Sequence, residues 1–277
     1  MKFWKLHGIG NDFIAIDQRF NNNDLKYYSD LAKKVCHRRF SVGADGLLIV
    51  KKSDKADIKM LYYNSDGSIA SMCGNGLRCF VKFVYDNNIV DKNDFYVETL
   101  DGIKNIKINL KNNKIETIKV NMGNGKFSCK DIPVISNKPI FIKEILNFDE
   151  KKFEISSMLM GVPHTVIFVD DISLCEIKKY GNLIEKHNIF PEGTNVNFVK
   201  IQDKNNIFVD TWERGCGYTL GCGTGMTASA IISNYLGKTD KNVNVTSQGG
   251  SVKIDIEEDF VYMTGPSIKI CEGLLEV

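Results

Sequence analysis

Cys73-Gly74-Asn75-Gly76 and Cys222-Gly223-Thr224-Gly225 are the two stretches that decide the fold of this chain. Each places one thiol and two glycines directly before an apolar, helix-like run. The chain has 277 residues, and each half carries one copy. Two matched thiols on matched scaffolds suggest one symmetric task. The simplest such task is to remove a proton from one face of a carbon and to deliver a proton to the other face.

The likeness of the two halves extends beyond these strings. A period this long exceeds the roughly 20–50 residues of solenoid repeats and indicates a duplicated, fused domain. We therefore predict an N-terminal lobe of residues 1–119, to which 266–277 return, a C-terminal lobe of 120–265, and an active-site cleft between them. At one constant offset, without a gap, identical residues recur at Val50/Val199, Lys51/Lys200, Asp54/Asp203, Lys55/Lys204, Ile58/Ile207, Cys73/Cys222, Gly74/Gly223 and Gly76/Gly225.

Short apolar or alternating runs predict that strands dominate both halves. Helices are predicted over 24–37 and 176–187, and two more follow the cysteine strings, over 77–85 and 226–235. The last two are apolar on most sides, which is typical of a buried helix. The predicted fold class is therefore α+β, with two pseudo-symmetric lobes that each wrap a strand-rich, barrel-like sheet around a central helix. The segment 120–129, rich in Gly, Asn and Lys, is the predicted linker.

Composition argues against several classes of partner. The formal net charge is only +2, and the basic residues are spread along the chain, so nucleic acid is not expected as a partner. No apolar run approaches the roughly 20 residues of a membrane-spanning helix. The opening Met1-Lys2-Phe3-Trp4-Lys5 lacks the apolar core of a signal peptide. We therefore expect a cytoplasmic protein that has no membrane partner.

The cysteine pattern favours neither a disulfide framework nor a zinc site. The chain is not a short secreted one, paired Cys-x-x-Cys spacing is absent, and only four histidines are present. No Gly-x-Gly-x-x-Gly string or metal cluster appears either, so no cofactor and no metal are predicted. The remaining cysteines are predicted to be structural, mostly as small buried hydrophobes: Cys36, Cys79, Cys129, Cys175, Cys216 and Cys271.

A cysteine at a helix start suits proton transfer. Unpaired backbone N–H groups and the positive end of the helix dipole lower the pKa of a thiol in that position toward neutrality. A proton carrier works best with a pKa near the working pH. The following glycine lets a ligand approach, and the N–H groups can hold a carboxylate. A free amino acid could lie with its α-carboxylate across two such helix ends, one sulfur above and one below its α-carbon.

The chain resembles the diaminopimelate epimerase family along nearly its whole length. As a set, the matching motifs are highly specific. They are Lys5-Leu6-His7-Gly8-Ile9-Gly10-Asn11-Asp12-Phe13, Gly43-Ala44-Asp45-Gly46-Leu47-Leu48, Tyr63-Asn64-Ser65-Asp66-Gly67-Ser68, Met72-Cys73-Gly74-Asn75-Gly76, Gly193-Thr194-Asn195-Val196-Asn197-Phe198-Val199, Trp212-Glu213-Arg214-Gly215, Cys222-Gly223-Thr224-Gly225 and Met263-Thr264-Gly265-Pro266.

The resemblance implies cofactor-independent epimerisation of LL-diaminopimelate to the meso form, a step of lysine and cell-wall precursor synthesis. Cys73 and Cys222 would exchange the roles of base and acid. Members of the family are often dimers, which makes a homodimer a candidate assembly. The implied substrate contacts are the backbone N–H groups of Gly74, Asn75, Gly223 and Thr224 for the reacting carboxylate, Asn11 and Glu213 for the reacting amino group, and Asn64, Asn195 and Arg214 for the distal end.

Some residues depart from the family pattern and leave the substrate open. Val162 precedes Pro163-His164 where asparagine is usual, and Tyr218, Gly221 and Met226 also differ. One alternative keeps the mechanism with another amino acid, such as histidine, as substrate. A second is a non-catalytic, two-lobed amino acid binding protein. A third, minor alternative is an isomerase of another carbon acid, such as a proline analogue.

Overall fold

The computed structural model of the protein describes residues 1–148 and 151–276. Its contacts divide the chain into two units, Met1–Asn121 with Thr264–Val277, and Met122–Met263. Within the described part of the chain, none of the helices combines the length and the apolar character that crossing a bilayer requires. In chain order the elements are β1 (Lys2–Gly8), β2 (Asn11–Asp17), α1 (Leu25–Val35), β3 (Gly46–Lys51), β4 (Ile58–Asn64), β5 (Ile69–Ala70), α2 (Gly74–Asp86), β6 (Asp94–Thr99), β7 (Gly102–Lys111), β8 (Lys114–Gly123), β9 (Glu144–Phe148), β10 (Lys151–Met160), β11 (Val162–Phe168), α3 (Leu174–Glu185), β12 (Asn195–Ile201), β13 (Asn206–Glu213), β14 (Gly217–Thr219), α4 (Gly223–Tyr235), β15 (Asn242–Ser247), β16 (Gly250–Ile256), β17 (Val261–Gly265) and β18 (Ile268–Leu274).

The first unit is a mixed sheet covered by helices. Strand β1 runs antiparallel to β2 and to β18, β2 is parallel to β3, β3 is antiparallel to β4, and β4 is parallel to β6. Strands β2 and β3 are buried on both faces, as parallel strands between helices usually are. Ile14 and Ile16 of β2 pack in one core cluster with residues of α1, whereas Phe13 and Leu48 lie against the start of α2.

The second unit repeats this order of elements. Strand β10 is antiparallel to β11, β11 is parallel to β12, β12 is antiparallel to β13, and β13 is parallel to β15. Helix α4 contacts strands β10 to β13 as well as β15 and β16. Nearly all of its residues are buried, which is what an all-round apolar sequence predicts. The α+β class and the duplicated architecture expected from the sequence are therefore confirmed.

The helix boundaries differ from the predicted ones for local reasons. Helices α2 and α4 begin at Gly74 and Gly223, one turn earlier than predicted, because their glycines are part of the first helical turn. Helix α1 begins after Asp24, whose side chain accepts a hydrogen bond from the Tyr27 N–H. Helix α3 begins after Ser173, which forms a capping box with Glu176.

Two further expectations need correction. The division between the two units, after Asn121, falls within the predicted linker 120–129. The first part of that segment, however, continues strand β8 as far as Gly123, because Val120 and Met122 are buried apolar residues of that strand. Cys175 and Cys271 are exposed, although both were expected to be buried, whereas the thiols of Cys36 and Cys129 are buried as predicted.

Candidate active site

Cys73 is the N-cap residue of helix α2. Its backbone is extended (φ −146°, ψ 119°), and its Sγ accepts a hydrogen bond from the Gly76 N–H at 3.4 Å. A Cβ atom on Gly76 would lie 3.3 Å from the Phe13 ring and 3.4 Å from Leu48. Glycine at that position therefore allows the first turn of α2, and the thiol with it, to rest directly on strands β2 and β3.

Two asparagine side chains meet beside this thiol. The Cys73 Sγ donates to Asn11 Oδ1 at 3.6 Å, and Asn75 Nδ2 donates to the same oxygen at 3.5 Å. Asn11 opens strand β2 and is half-buried, while Asn75, in the first turn of α2, is buried. The structure thus brings together three predicted site residues from two separate motifs, Asn11 from one and Cys73 and Asn75 from the other.

A network of charges surrounds Asn11. The Asn11 amide donates to Asp45 Oδ2 at 2.6 Å, and Arg38 Nη2 bridges Asp45 Oδ1 at 2.6 Å and Asp12 Oδ1 at 2.8 Å. Lys5 Nζ lies 3.1 Å from Asp12 Oδ2. Burial alone would raise the pKa of Asp12, but hydrogen bonds from Arg38 and Lys5 outweigh it and hold that pKa below its ordinary value.

Arg78 is a fully buried cation on the same helix as Cys73. Its Nη2 donates to Asn75 Oδ1 at 2.7 Å, its Nη1 to the Gly74 carbonyl at 3.4 Å, and its Nε to the Pro266 carbonyl at 3.2 Å. Burial lowers the pKa of Arg78 to about 10, so the group stays charged near neutral pH. The sequence analysis did not select Arg78; a charged residue within the apolar run of residues 77–81 is the signal that could have identified it.

Cys222 is the N-cap residue of helix α4 and is buried. Its backbone is extended (φ −104°, ψ 110°), like that of Cys73. Its Sγ lies 3.4 Å from Thr224 Oγ1, within the predicted site string. The Met226 N–H donates to the Cys222 carbonyl at 2.8 Å, which starts the helix at this point. Met226 is fully buried, so its departure from the family pattern is a matter of core packing.

The first turn of α4 rests on a buried polar side chain. A Cβ atom on Gly225 would overlap Asn197 Oδ1. Asn197 is held in place, because its Nδ2 donates to the Thr165 carbonyl at 3.1 Å and lies 3.3 Å from His164 Nδ1, and its Oδ1 accepts from Thr211 at 3.1 Å. Burial first, and then the positive charge of Arg214, lower the pKa of His164 to about 3. His164 is therefore neutral at physiological pH.

The predicted distal residues of the second unit form one turn. Asn195 accepts a hydrogen bond from the Arg214 N–H at 2.9 Å and donates to the Pro163 carbonyl at 2.9 Å. The half-buried guanidinium of Arg214 donates to the Glu192 carbonyl at 2.8 Å. Glu213 accepts from Thr219 Oγ1 at 2.6 Å. Asn195 is buried, so its amide orders the Arg214 backbone.

The turn also depends on a glutamate that the sequence analysis did not select. Glu185, at the end of α3, accepts from the Trp212 ring N–H at 2.6 Å and from the Gly215 N–H at 2.9 Å. Its two oxygens thereby hold both sides of the Glu213-Arg214 dipeptide. The position of Glu185 on a predicted helix gave no signal of this role, because its partners lie on strand β13 and in the turn that follows it.

Asn64 and Tyr218 have local partners. Asn64 accepts from the Tyr62 hydroxyl at 2.7 Å and donates to Ser68 Oγ at 3.0 Å, within the hairpin that joins β4 to β5. The Tyr218 hydroxyl donates to Asp210 at 2.8 Å, and burial together with that carboxylate raises the pKa of Tyr218 to about 12. Tyr218 thus differs from the family pattern by making a contact inside its own sheet.

Solved structures share this fold over almost the whole chain. A PhzF-family phenazine biosynthesis protein from Bacillus anthracis superimposes with a TM-score of 0.75 at 15% identity, covering 100% of this chain and 99% of its own. A probable proline racemase from Agrobacterium radiobacter superimposes with a TM-score of 0.74 at 14% identity, covering 100% of this chain and 93% of its own. The fold thus defines the structural class that contains PhzF proteins and proline racemases.

Sequence comparison identifies the family within that class. The family model described as diaminopimelate epimerase matches residues 3–128 and 156–270. The diaminopimelate epimerase of Alkaliphilus metalliredigens is 49% identical over 99% of this chain and 97% of its own length. That of Clostridium perfringens is 50% identical over 99% and 98%. The chain belongs to the diaminopimelate epimerase family, a family of isomerases.

Proposed function

We propose that this protein epimerises LL-diaminopimelate to meso-diaminopimelate by a two-base mechanism in which Cys73 and Cys222 exchange the roles of base and acid. The observation that carries the proposal is the pair of thiols, each at the N-cap of a buried helix at the same position of a repeated unit. The names of the relatives, which share about half of their residues with this chain, support the substrate.

The proton balance of the reaction needs only the two sulfurs. One thiolate takes the α-hydrogen as a proton, and the other thiol delivers its proton to the opposite face of the same carbon. The first sulfur ends protonated and the second ionised, so the return reaction begins from the other cysteine. No electrons leave the substrate, and the proposal invokes no cofactor and no metal. It requires that both sulfurs reach one α-carbon, with the two units acting as the lobes of the enzyme.

Charge that develops on the α-carbon and its carboxylate is the main barrier to this chemistry. We assign the carboxylate to the N–H groups that begin the two helices, those of Gly74 and Asn75 and those of Gly223 and Thr224. Oriented N–H donors and helix dipoles need no reorganisation as charge develops, which makes them effective stabilisers. The reacting amino group is assigned to Asn11 Oδ1 and to Glu213.

Arg214 and Asn64 are assigned to the distal end of the substrate. A guanidinium binds two carboxylate oxygens at once, which suits the second carboxylate of diaminopimelate. The role of Asn195 in this assignment is to fix the backbone of Arg214. Val162, which has no hydrogen-bonding side chain, leaves the distal contacts to the other residues.

The test is turnover of LL-diaminopimelate against a panel of single amino acids that includes histidine. Cys73→Ser and Cys222→Ser should each lose about 10²–10⁴-fold in kcat, the usual contribution of a positioned acid or base. The exposed Cys175 provides a matched control, since Cys175→Ser should retain wild-type turnover. Full activity in either site variant would favour the interpretation as a non-catalytic binding protein. Fast racemisation of another amino acid, without turnover of LL-diaminopimelate, would show that the proposed substrate is wrong.

A homodimer in the cytoplasm completes the proposal. Strand β18 exposes three apolar side chains, Ile268, Ile270 and Leu274, with exposed fractions of 51%, 51% and 77%. A second copy would remove this apolar surface from water. Two functional thiols also suit a reducing compartment. Light scattering should give twice the mass of 31.2 kDa, and Ile270→Lys should give the monomer; a monomeric wild type would remove the dimer from the proposal.

A further inference from the structure

The two amides beside Cys73 pose a problem of orientation. The side-chain oxygen and nitrogen of asparagine have nearly the same shape but opposite hydrogen-bonding roles. A half-turn of either Asn11 or Asn75 would exchange an acceptor for a donor at the thiol. A site that must accept hydrogen bonds from an amino group therefore needs something that holds each amide in one orientation.

Asn75 is oriented by a buried cation. The Nη2 of Arg78 donates to Asn75 Oδ1 at 2.7 Å, which fixes that oxygen toward the guanidinium. The Nδ2 atom consequently points the other way, toward Asn11 Oδ1 at 3.5 Å. An opposite orientation would set an NH₂ group against a guanidinium, and neither can accept. Gly8 makes room for this arrangement, since a Cβ atom there would lie 3.3 Å from Arg78 Nη2.

Asn11 is oriented by a carboxylate. Asp45 Oδ2 accepts from Asn11 Nδ2 at 2.6 Å, so Asn11 Oδ1 faces Asn75 and the thiol. Asp45 Oδ2 also accepts from the Asp12 N–H at 3.1 Å, and Arg38 holds its other oxygen. The charged groups that face this side of the site are thus Asp45, Asp12, Arg38, Lys5 and Arg78.

We propose that Arg78 and Asp45 are positioning residues that hold the Asn75 and Asn11 amides in one orientation, so that Asn11 Oδ1 is presented as an acceptor beside Cys73. The inference rests on the proposed function in assigning the substrate amino group to that oxygen. The two positioning residues have opposite effects on the protonation of the Cys73 thiol. The Arg78 cation favours the thiolate. Asp45 favours the protonated thiol, because it holds Asn11 so that its Oδ1 accepts a hydrogen bond from the S–H group.

Alkylation of Cys73 without substrate tests the proposal directly. The rate of reaction with iodoacetamide is followed against pH, and the Cys73 peptide is quantified by mass spectrometry, because only the thiolate reacts. Arg78→Met should move the midpoint upward by about one pH unit, the smallest shift that a close opposite charge usually causes, and so slow alkylation about tenfold below the midpoint. Arg78→Lys keeps the charge and should restore most of that rate.

Asp45→Asn should move the midpoint in the opposite direction. Without the carboxylate, Asn11 can rotate and present its NH₂ group to the sulfur, which favours the thiolate; a downward shift of about half a pH unit is expected. The Asp45 side chain is 41% exposed, so this variant should fold even if Arg78→Met does not. Arg19→Met, which removes a cation bound to Asp17 in the same unit, is the control and should leave the midpoint unchanged.

Turnover separates positioning from general damage. Asp45→Asn should raise KM and lower kcat although its thiol is more reactive, whereas a purely structural defect would not make Cys73 more reactive. An Asp45→Asn midpoint equal to or above that of the wild type would overturn the proposal, as would an unchanged midpoint in a folded Arg78→Met. Because alkylation needs no substrate, failure of the proposed function, seen as absent turnover with diaminopimelate, is distinguishable from failure of this inference.

Discussion

The starts of helices α2 and α4 share their backbone geometry but differ in what surrounds them. Cys73 and Cys222 are both extended N-cap residues. The first turn of α2 is supported by charges, with Arg78 buried behind it and Asp45 beside Asn11. The first turn of α4 rests on neutral polar groups, Asn197 and an uncharged His164. The two units therefore share an N-cap cysteine, while the side chains that support it differ.

This difference indicates that substitutions near the first turn of α2 and near the first turn of α4 will have different effects. Charges act over several ångströms and shift the protonation of a neighbouring thiol. A neutral hydrogen-bonded network acts by geometry, and its cost appears when a member is displaced or left unpaired. We therefore expect charge-changing substitutions to alter the protonation of the Cys73 thiol in the first unit. In the second unit, we expect substitutions that change volume to alter the position of Cys222.

The largest effects on stability and turnover are expected when Gly225→Ala is compared with Gly76→Ala. The added methyl at 225 would overlap Asn197, which three hydrogen bonds hold in place, so it should displace the Cys222 turn. We expect a loss of about 1–3 kcal/mol of stability, typical of overpacking, and a loss of about 100-fold in kcat, which a misplacement of about 1 Å can cause.

The added methyl at 76 would crowd two apolar side chains, Phe13 at 3.3 Å and Leu48 at 3.4 Å, which need to shift only slightly. The helix propensity gained, up to about 1 kcal/mol, should offset most of the crowding. Thermal unfolding and steady-state kinetics of both variants measure the contrast. Equal losses in the two would show that the supports under the turns do not differ in rigidity.

Acid should destabilise the two units in different pH windows. The folded-state pKa of His164 lies below its unfolded value, so the unfolded state binds the extra proton. The stability that depends on neutral His164 is therefore lost as pH falls below about 6.5, by about 2 kcal/mol between pH 7 and pH 5. Asp12, whose pKa is lowered from 3.8, contributes stability above that value, which is lost only at more acidic pH.

Hydrogen exchange read peptide by peptide can assign these losses to each unit. The second unit should lose protection between pH 7 and pH 5 after correction for the intrinsic exchange rate, and the first should not. His164→Gln should remove most of this loss. An acid response of the second unit that persists in His164→Gln would contradict the assignment to His164.

Arg38→Met should have the smallest effect on the free energy of unfolding. It removes both ion pairs with Asp12 and Asp45, but the Arg38 side chain is 56% exposed, so solvent screening limits the cost to about 1 kcal/mol or less. Urea unfolding at low and high salt measures it, and the difference from wild type should shrink as salt rises. A salt-independent loss of several kcal/mol would mean that Arg38 acts through packing rather than charge.

The sequence predicted the features that repeat and missed those formed by distant partners. The matched cysteine strings were sufficient to predict a buried helix after each string. The start of each helix was predicted one turn late because glycine usually marks a loop, whereas here it permits close contact with a strand or with Asn197. Periodicity could not reveal the exposure of Cys175 and Cys271, which depends on the faces that neighbouring elements leave open.

The supports of the site could not be predicted for a related reason. Asp45 and Asn11 lie far apart in sequence and meet because strands β2 and β3 are parallel neighbours. Arg78 contacts Pro266, which lies near the other end of the chain. His164 and Asn197 meet through the parallel pair β11 and β12. Only the register of the sheets brings these residues together, and no local pattern encodes it.

The central claim is that two different sulfurs act on opposite faces of one carbon, and isotope placement early in the reaction tests it most directly. In deuterium oxide, the account predicts that newly formed meso-diaminopimelate carries one deuterium at the inverted centre while the remaining LL-diaminopimelate carries none. Two results would contradict it: newly formed product that retains the original hydrogen at the inverted centre, and unreacted LL-diaminopimelate that gains deuterium as fast as product forms. Both outcomes require a single base that serves both faces.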